Sequence, residues 1–507
     1  LPGKYVLIEP PNLLIETSEP IPIPAIDIAV GSDRVIKKAA RAGRALLLRQ
    51  VLVYGSNIGG SILLARLIPA DQYGYYGIVL FLISFMSIFG GTGFAGNLIR
   101  MNEEPTHSDF EVMFSTQQAM ILVIFAAIWL IAPKLGMTYH MGVHGAWFFR
   151  MAGMALVLTS FMVMPQIKME RELAFDRLAM VEVCQAIGFN VSAIVFALKG
   201  WGALSFSGAL MVRSGTGAIL AQVSAPWKFG LRWDLTVLKR HLHYGVELQA
   251  GQVVGILKES ISPLFVGMLL GAADVGYVTW ASSLAGYSMW VLLPLQRLYL
   301  PLFARLQDDP VKLKKVIEYV LWMVNAVVAP LGLVTLALAH PTTTIIFGAR
   351  WIQALPLYYL ICFGNIFAPC VIPMLGVLNA MGQSRKTLYM SVIWMGSTWL
   401  FGVPLTWWLG LKGFGIAIVC VQLTNFVLYR MVWRATGVSA WTAYMPSWPL
   451  AAGVGAALVL LQTLSPIHHI TGLIAYGLGG LGVYVLILWY GFPEKAKGFL
   501  RLRQSQA

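Results

Sequence analysis

Arg66-Leu-Ile-Pro-Ala-Asp-Gln-Tyr-Gly-Tyr75-Tyr76 is a short polar turn between two long apolar runs, 45–68 and 74–98. A second turn, Met268-Leu-Leu-Gly-Ala-Ala-Asp-Val-Gly-Tyr277-Val278, separates the runs 242–270 and 274–302. Leu67, Ala70, Gly74 and Tyr75 recur as Leu269, Ala272, Gly276 and Tyr277, at a constant offset of 202. A run of about 20 apolar residues is what a helix needs to cross a bilayer. Each turn therefore reads as the tip of a membrane hairpin, and the offset as an internal duplication.

Working outward, further apolar runs fall at 111–133, 147–167, 178–198, 202–224, 316–338, 353–377, 387–409, 413–433, 447–464 and 470–490. The runs are continuous rather than alternating, which excludes a spanning β-barrel. The expected fold is all-α and polytopic, with about fourteen spans. Only 11% of residues are charged against 58% hydrophobic, and mean hydropathy is +0.72. A soluble domain carries roughly 25% charged residues. Pro294 and Pro330 lie where kinks are expected in the longer runs.

Six spans precede the second copy, so both copies start on the same side of the membrane. The chain divides into a tail (1–44), two six-helix lobes related by a parallel repeat (45–226 and 227–436), a two-helix extension (437–491) and a basic tail (492–507). Parallel repeats about the membrane normal are a secondary-transporter architecture, with the substrate path between the halves. With the N-terminus inside, 27 of the 36 basic residues fall on the cytoplasmic side, 5 on the other and 4 within spans. The positive-inside rule then places both termini in the cytoplasm. It also accounts for the net charge of +14 without nucleic acid as a partner. The first 44 residues, proline-rich and then basic, read as a cytoplasmic tail touching anionic lipid through Arg34, Lys37, Lys38, Arg41 and Arg44.

Charged residues inside spans are expensive and mark function. Lys258 and Arg297 lie mid-span, and Arg213 lies beside a Ser-Gly stretch; together they suggest a cationic cavity for an anionic headgroup. Glu247 and Glu259 are candidates for ion coupling. Lys258 and Glu259 are adjacent and point about 100° apart on a helix, so they are not expected to pair. Arg150 sits near a span start and reads as snorkelling. Gly55 and Gly59 form a GxxxG that reads as close helix packing, with Asn57 beside them. Trp147, Tyr299, Trp489 and Tyr490 read as interfacial anchors. Cys184, Cys362, Cys370 and Cys420 lie in apolar runs without metal-ligand spacing, and His140 and His144 have no evident third ligand, so no metal is expected.

No Gly-x-x-x-x-Gly-Lys-Ser/Thr is present, which removes a P-loop motor. No stretch outside the spans exceeds about 45 residues, and no oriented acid–base pair is visible, so neither an enzyme nor a cofactor is expected.

Several stretches resemble bacterial polysaccharide (Wzx-type) flippases, of the multidrug/oligosaccharidyl-lipid/polysaccharide exporter superfamily. They are Ala65 to Tyr76, Gly93-Phe-Ala-Gly-Asn-Leu-Ile-Arg100, Met169 to Ala179, Leu270 to Tyr277, Arg297 to Gln307 and Leu378 to Lys386. The similarity runs over about 45–435. It implies a flippase moving a polyprenyl-diphosphate-linked oligosaccharide across the cell inner membrane by ion-coupled alternating access. The partners implied are that lipid-linked cargo, membrane lipid, and the glycosyltransferases and polysaccharide polymerase acting before and after it. Arg66, Arg100 and Arg297 fall on family positions, and basic residues line such cavities. Ser262-Pro263 stands where the family often has an Asp. A multidrug or organic-cation antiporter of the same superfamily would want acidic cavity residues. An intramembrane polysaccharide polymerase or ligase would want large outer loops.

Overall fold

The computed structural model describes residues 50–90, 98, 104–172, 174–239 and 254–492. Every regular element among them is helical, with no strand. The first half contributes α1 (50–67), α2 (Ala70–Gly90), α3 (His107–Thr138), α4 (Gly145–Arg171), α5 (Phe175–Leu198) and α6 (Leu204–Ser224). The second begins with α7 (254–269), wound as a π-helix over Ile261–Val266. It continues with α8 (Ala272–Trp290), α9 (Leu293–Ala304), α10 (Pro310–Ala337), α11 (Leu355–Asn365), α12 (Val371–Ala380), α13 (Ser384–Leu423) and α14 (Asn425–Thr436). α15 (Ser447–Leu464) and α16 (Ile470–Gly491) pack on α10 through Val334, Leu338, Ala451, Leu458 and Tyr484.

Among the described residues, seven helices are long and apolar enough to cross a membrane. The expectation of about fourteen is not reached by that measure, for identifiable reasons. The run 274–302 breaks between α8 and α9, just before Pro294. The run 353–377 breaks between α11 and α12, next to Pro369. Runs 387–409 and 413–433 share one helical stretch, folded back at Gly410 (φ 59°, ψ −140°). A side chain rarely adopts that φ. Three residues on, a Cβ added to Gly413 would fall on the Leu405 carbonyl across the fold. Gly413→Ala is therefore expected to destabilise the protein by about 2–3 kcal/mol. The check is the apparent melting temperature of the purified protein, beside Gly396→Ala, where a Cβ meets nothing within 4 Å.

In the first lobe, three cations of the basic turns at one end of the bundle satisfy backbone carbonyls. Arg171 Nη1 donates to Leu98 O (2.5 Å), Lys168 Nζ to Pro226 O (3.1 Å) and Arg177 Nη1 to Ser224 O (3.1 Å). Thr106 and Asp109 close a capping box that starts α3 there. The two repeat turns lie at the opposite end, called here the hairpin end.

The lobes meet at the hairpin end through the repeated residues themselves. A Cβ on Gly74 would fall on Ala272 O and within 2.9 Å of Gly276 N; one on Gly276 would fall on Ala70 O and lie 3.1 Å from Gly74 N. The contact is reciprocal at the same offset of 202, so a local two-fold axis passes between α2 and α8. The identities Ala70/Ala272 and Gly74/Gly276 are thereby explained: small residues let two helix backbones touch. Around the crossing lies one continuous apolar cluster drawn from both lobes, including Tyr73, Phe206, Trp280 and Trp351.

Two packing expectations need correction. Gly55 and Gly59 face open space, with nothing within 4 Å of an added Cβ. Close packing falls one residue later, where Gly60 abuts the side chain of Asn190. Tyr299 is not an interfacial anchor. It is buried in the second lobe, with its ring 6.3 Å from that of Phe303.

Candidate functional site

Two features near the middle of the second lobe interrupt regular helix. α7 turns through its π segment, and Pro263 within it offers no N–H. The Pro263 carbonyl accepts from Tyr139 Oη of the first lobe (3.3 Å). The break between α11 and α12 exposes the carbonyl of Phe367, which accepts from Asn425 Nδ2 (3.1 Å) and Tyr429 Oη (2.5 Å). Broken helices at membrane depth persist only where the freed groups find partners or line a cavity. Both conditions hold here.

Two adjoining cavities of about 310 and 300 Å³ lie between α7, α8, the broken helix and the two legs of α13. Lys258, Met289, Val421 and Gln422 line both, so the lysine stands where they join. Besides the charged pair, the polar side chains in the walls are Ser262, Ser282, Gln296, Asn365, Thr398, Gln422 and Asn425. Neighbouring hydrogen bonds hold several of these in place. Trp394 Nε1 donates to Asn425 Oδ1 (2.9 Å), Asn425 Nδ2 to Gln422 Oε1 (2.8 Å) and Asn365 Nδ2 to Ala285 O (3.4 Å).

Lys258 Nζ lies 3.3 Å from Glu259 Oε1, contrary to the expectation that the two would not pair. The 100° between their Cα–Cβ directions is bridged by the length of both side chains. The pair is open, with the Lys258 side chain 38% and the Glu259 side chain 75% exposed. A carboxylate facing lipid would be costly, so this exposure implies a wet space.

The other expected site residues lie elsewhere. Arg213 is exposed midway along α6 and within electrostatic reach of Tyr76, which stacks on Phe206 and Phe189. Arg66 is not in the cavity. At the hairpin end its Nε donates to Ile346 O (2.5 Å) and its Nη2 to Ile345 O, tying α1 to the π turn Thr343–Phe347 of the other lobe. Its position in the turn places it beside free carbonyls, which a guanidinium fork satisfies. Arg297 lies on α9. Arg100 and Glu247 fall outside the described residues.

The polar lining was not picked out by sequence reasoning. Its signal was single amides within apolar runs, Asn365, Gln422 and Asn425 above all. The first lobe has its own interior polar group, in which Asn190 Nδ2 donates to Ser56 Oγ (3.0 Å) and Asn57 Oδ1 (3.1 Å).

The seal at the hairpin end is aromatic. Trp351 Nε1 donates to Ala65 O (2.9 Å), and the Trp351 ring stacks on Trp280 at 5.3 Å. Tyr73 meets Trp351 edge-on at 5.3 Å. Further along, Ser61 Oγ and Tyr287 Oη lie 2.8 Å apart, and Tyr54 stacks on Trp290 at 4.6 Å. In this conformation the lobes are closed at the hairpin end.

Comparison with known proteins agrees with this architecture. Residues 63–356 match the sequence profile of a family described as polysaccharide biosynthesis protein. The chain is 22% identical over 400 residues to the lipopolysaccharide biosynthesis protein WzxC of Escherichia coli K12, covering 75% of this chain and 78% of that one. It is 21% identical over 341 residues to the succinoglycan biosynthesis transport protein ExoT of Rhizobium meliloti, covering 65% and 67%. Among solved structures, the lipid II flippase MurJ in an inward closed conformation superposes with a TM-score of 0.68 at 10% identity, covering 90% of this chain and all of that one. An inward-facing MATE-family transporter of the MOP superfamily gives 0.60 at 12% identity, covering 82% and 96%. Those two likenesses establish a shared helical fold.

Proposed function

The chain belongs to the polysaccharide biosynthesis protein family, and from that membership we propose that it is a flippase. Its cargo is a polyprenyl-diphosphate-linked oligosaccharide. It moves that cargo across the cytoplasmic membrane for surface polysaccharide synthesis, by alternating access of two lobes. The observation that carries this reading is the cation at the junction of two cavities, largely apolar with a few polar side chains, beside broken helices. A diphosphate needs such a group, and the cavity lining is otherwise uncharged apart from its neighbour Glu259.

Under this reading the basic end faces the cytoplasm, together with both termini, because positive charge is retained there. The hairpin end, where the lobes are sealed, faces the other compartment. Glycosyltransferases supply the cargo and a polymerase consumes it. Glu259 and Glu247 are the candidate coupling groups, and Arg297 and Arg213 are further candidate cations for the cargo. The inner charges lean basic, which disfavours an organic-cation antiporter.

The direct test is flipping of a labelled lipid-diphosphate sugar in proteoliposomes. Arg297→Ala is expected to lower the rate about tenfold, the loss of one charge-assisted contact, with the protein still in the membrane. A rate unchanged in Arg297→Ala removes α9 from the path. Failure of the wild-type protein to flip any lipid-diphosphate sugar rejects the function itself.

A further inference from the structure

A second cationic feature lies in the first lobe, in the α3–α4 hairpin, away from the Lys258 cavities of the second lobe. Arg150 was expected to snorkel, and its guanidinium carbon lies 4.6 Å from the centre of the Trp129 ring and 5.6 Å from that of Trp147. The two indoles meet edge-to-face at 6.2 Å. Arg150 Nε is buried and has no hydrogen-bond partner. Among the described residues Arg150 forms no ion pair, and sequence explains why: between Glu111 and Glu170 there is no Asp or Glu at all. The same stretch carries Lys134, His140 and His144. The cage is therefore a cation held in place by aromatic faces and left without a counter-ion.

Its surroundings are lipid-facing. Trp129 is 38% and Trp147 52% exposed, and Leu122, Val123, Leu130 and Ile131 on the same helix are exposed apolar side chains. Arg150 is in the second turn of α4, near the hairpin end of the bundle. Helical side chains lean toward the helix N-terminus, which carries its guanidinium toward the level where headgroups lie. Indoles prefer that level too. A guanidinium beside two rings still has N–H edges that match a phosphate.

We propose that Trp129, Trp147 and Arg150 form a binding site for the phosphate of an anionic phospholipid in the leaflet at the hairpin end. The aromatic faces fix the guanidinium and exclude water, which strengthens a cation–π contact. The lipid anion supplies the charge that the protein omits, while its acyl chains lie on the exposed face of α3. The site is separate from the lobe cavities and does not depend on what the protein carries between them.

The test is native mass spectrometry of the detergent-purified full chain, titrated with phosphatidylglycerol. The wild-type protein is expected to retain a bound phosphatidylglycerol that Arg150→Ala binds about tenfold or more weakly, the worth of charge-assisted hydrogen bonds. Arg150→Lys keeps the charge but not the planar fork, and is expected to fall between the two. Arg350→Ala, which removes another exposed cation, is expected to leave retention unchanged. Should Arg150→Ala fail to fold, the comparison of Arg150→Lys with wild type decides the matter. Phosphatidylcholine at the same concentration is expected not to compete. Equal retention by the Arg150 variants and wild type overturns the proposal. Displacement of the lipid by inorganic phosphate also overturns it, since the site would then belong to a free anion.

Discussion

Oxidising a chain that carries Gly77→Cys and Thr279→Cys, with its four native cysteines changed to alanine, is expected to stop transport, and reduction to restore it. A Cβ at Gly77 lies 3.6 Å from the Cβ of Thr279. That is within the range of about 3.5–4.5 Å that a disulfide spans. The double change also removes the Thr279 hydroxyl, which stands 2.5 Å from the same Cβ position and would otherwise crowd it. The two residues are one turn beyond the Gly74–Gly276 crossing and belong to opposite lobes. Alternating access requires the lobes to part at each end in turn. A bond across α2 and α8 holds the hairpin end shut. The expected loss is about tenfold or more, since a covalent link is not reversed on the time scale of lobe motion. The measurement is flipping in proteoliposomes before and after oxidation, then after reductant, with Thr279→Cys alone as control. Cross-linked protein that flips at the uncross-linked rate would mean that the crossing is no gate.

The crossing also shows how much of the molecule was legible in its sequence. The duplication was visible from four identities, because backbone contact between two helices admits few residue types and both copies obey the same restriction. The helical class and the alternation of basic turns were visible for a similar reason: the bilayer constrains every span independently of its neighbours. What stayed hidden depended on which helix lies opposite which. Gly55 and Gly59 have the spacing of a packing motif, but among the described residues nothing comes within 4 Å of a Cβ added to either, while Gly60 meets Asn190. Arg66 was assigned to a cavity because it falls on a family position, and only the fold brings the carbonyls of Ile345 and Ile346 beside it. The cavity walls escaped notice because a lone Asn365 or Gln422 in an apolar run reads as an ordinary buried amide. Such a residue becomes informative only when several face one space.

Lys258→Ala is expected to have the second large effect. Lys258 and Glu259 are 3.3 Å apart but open to water, and an exposed ion pair contributes about 0–1 kcal/mol. Removing the lysine should therefore leave the fold, and the amount of protein in the membrane, nearly unchanged. The same ammonium hydrogen-bonded to a diphosphate in a partly dry cavity is worth about 1.5–3 kcal/mol. The variant should lose ten- to a hundredfold in apparent affinity for a lipid-diphosphate sugar, by the usual tenfold for every 1.4 kcal/mol. Lys258→Arg keeps the charge and should retain part of the transport. Glu259→Gln separates the two roles of the pair. It frees the ammonium without removing it, so cargo binding should persist or strengthen. If Glu259 carries the coupling ion, transport by this variant should no longer respond to an imposed ion gradient. The experiment is flipping in proteoliposomes with and without that gradient. Wild-type transport by Lys258→Ala would sink the cationic cavity. A gradient response in Glu259→Gln equal to wild type would move the coupling site to another carboxylate and leave the role of Lys258 intact.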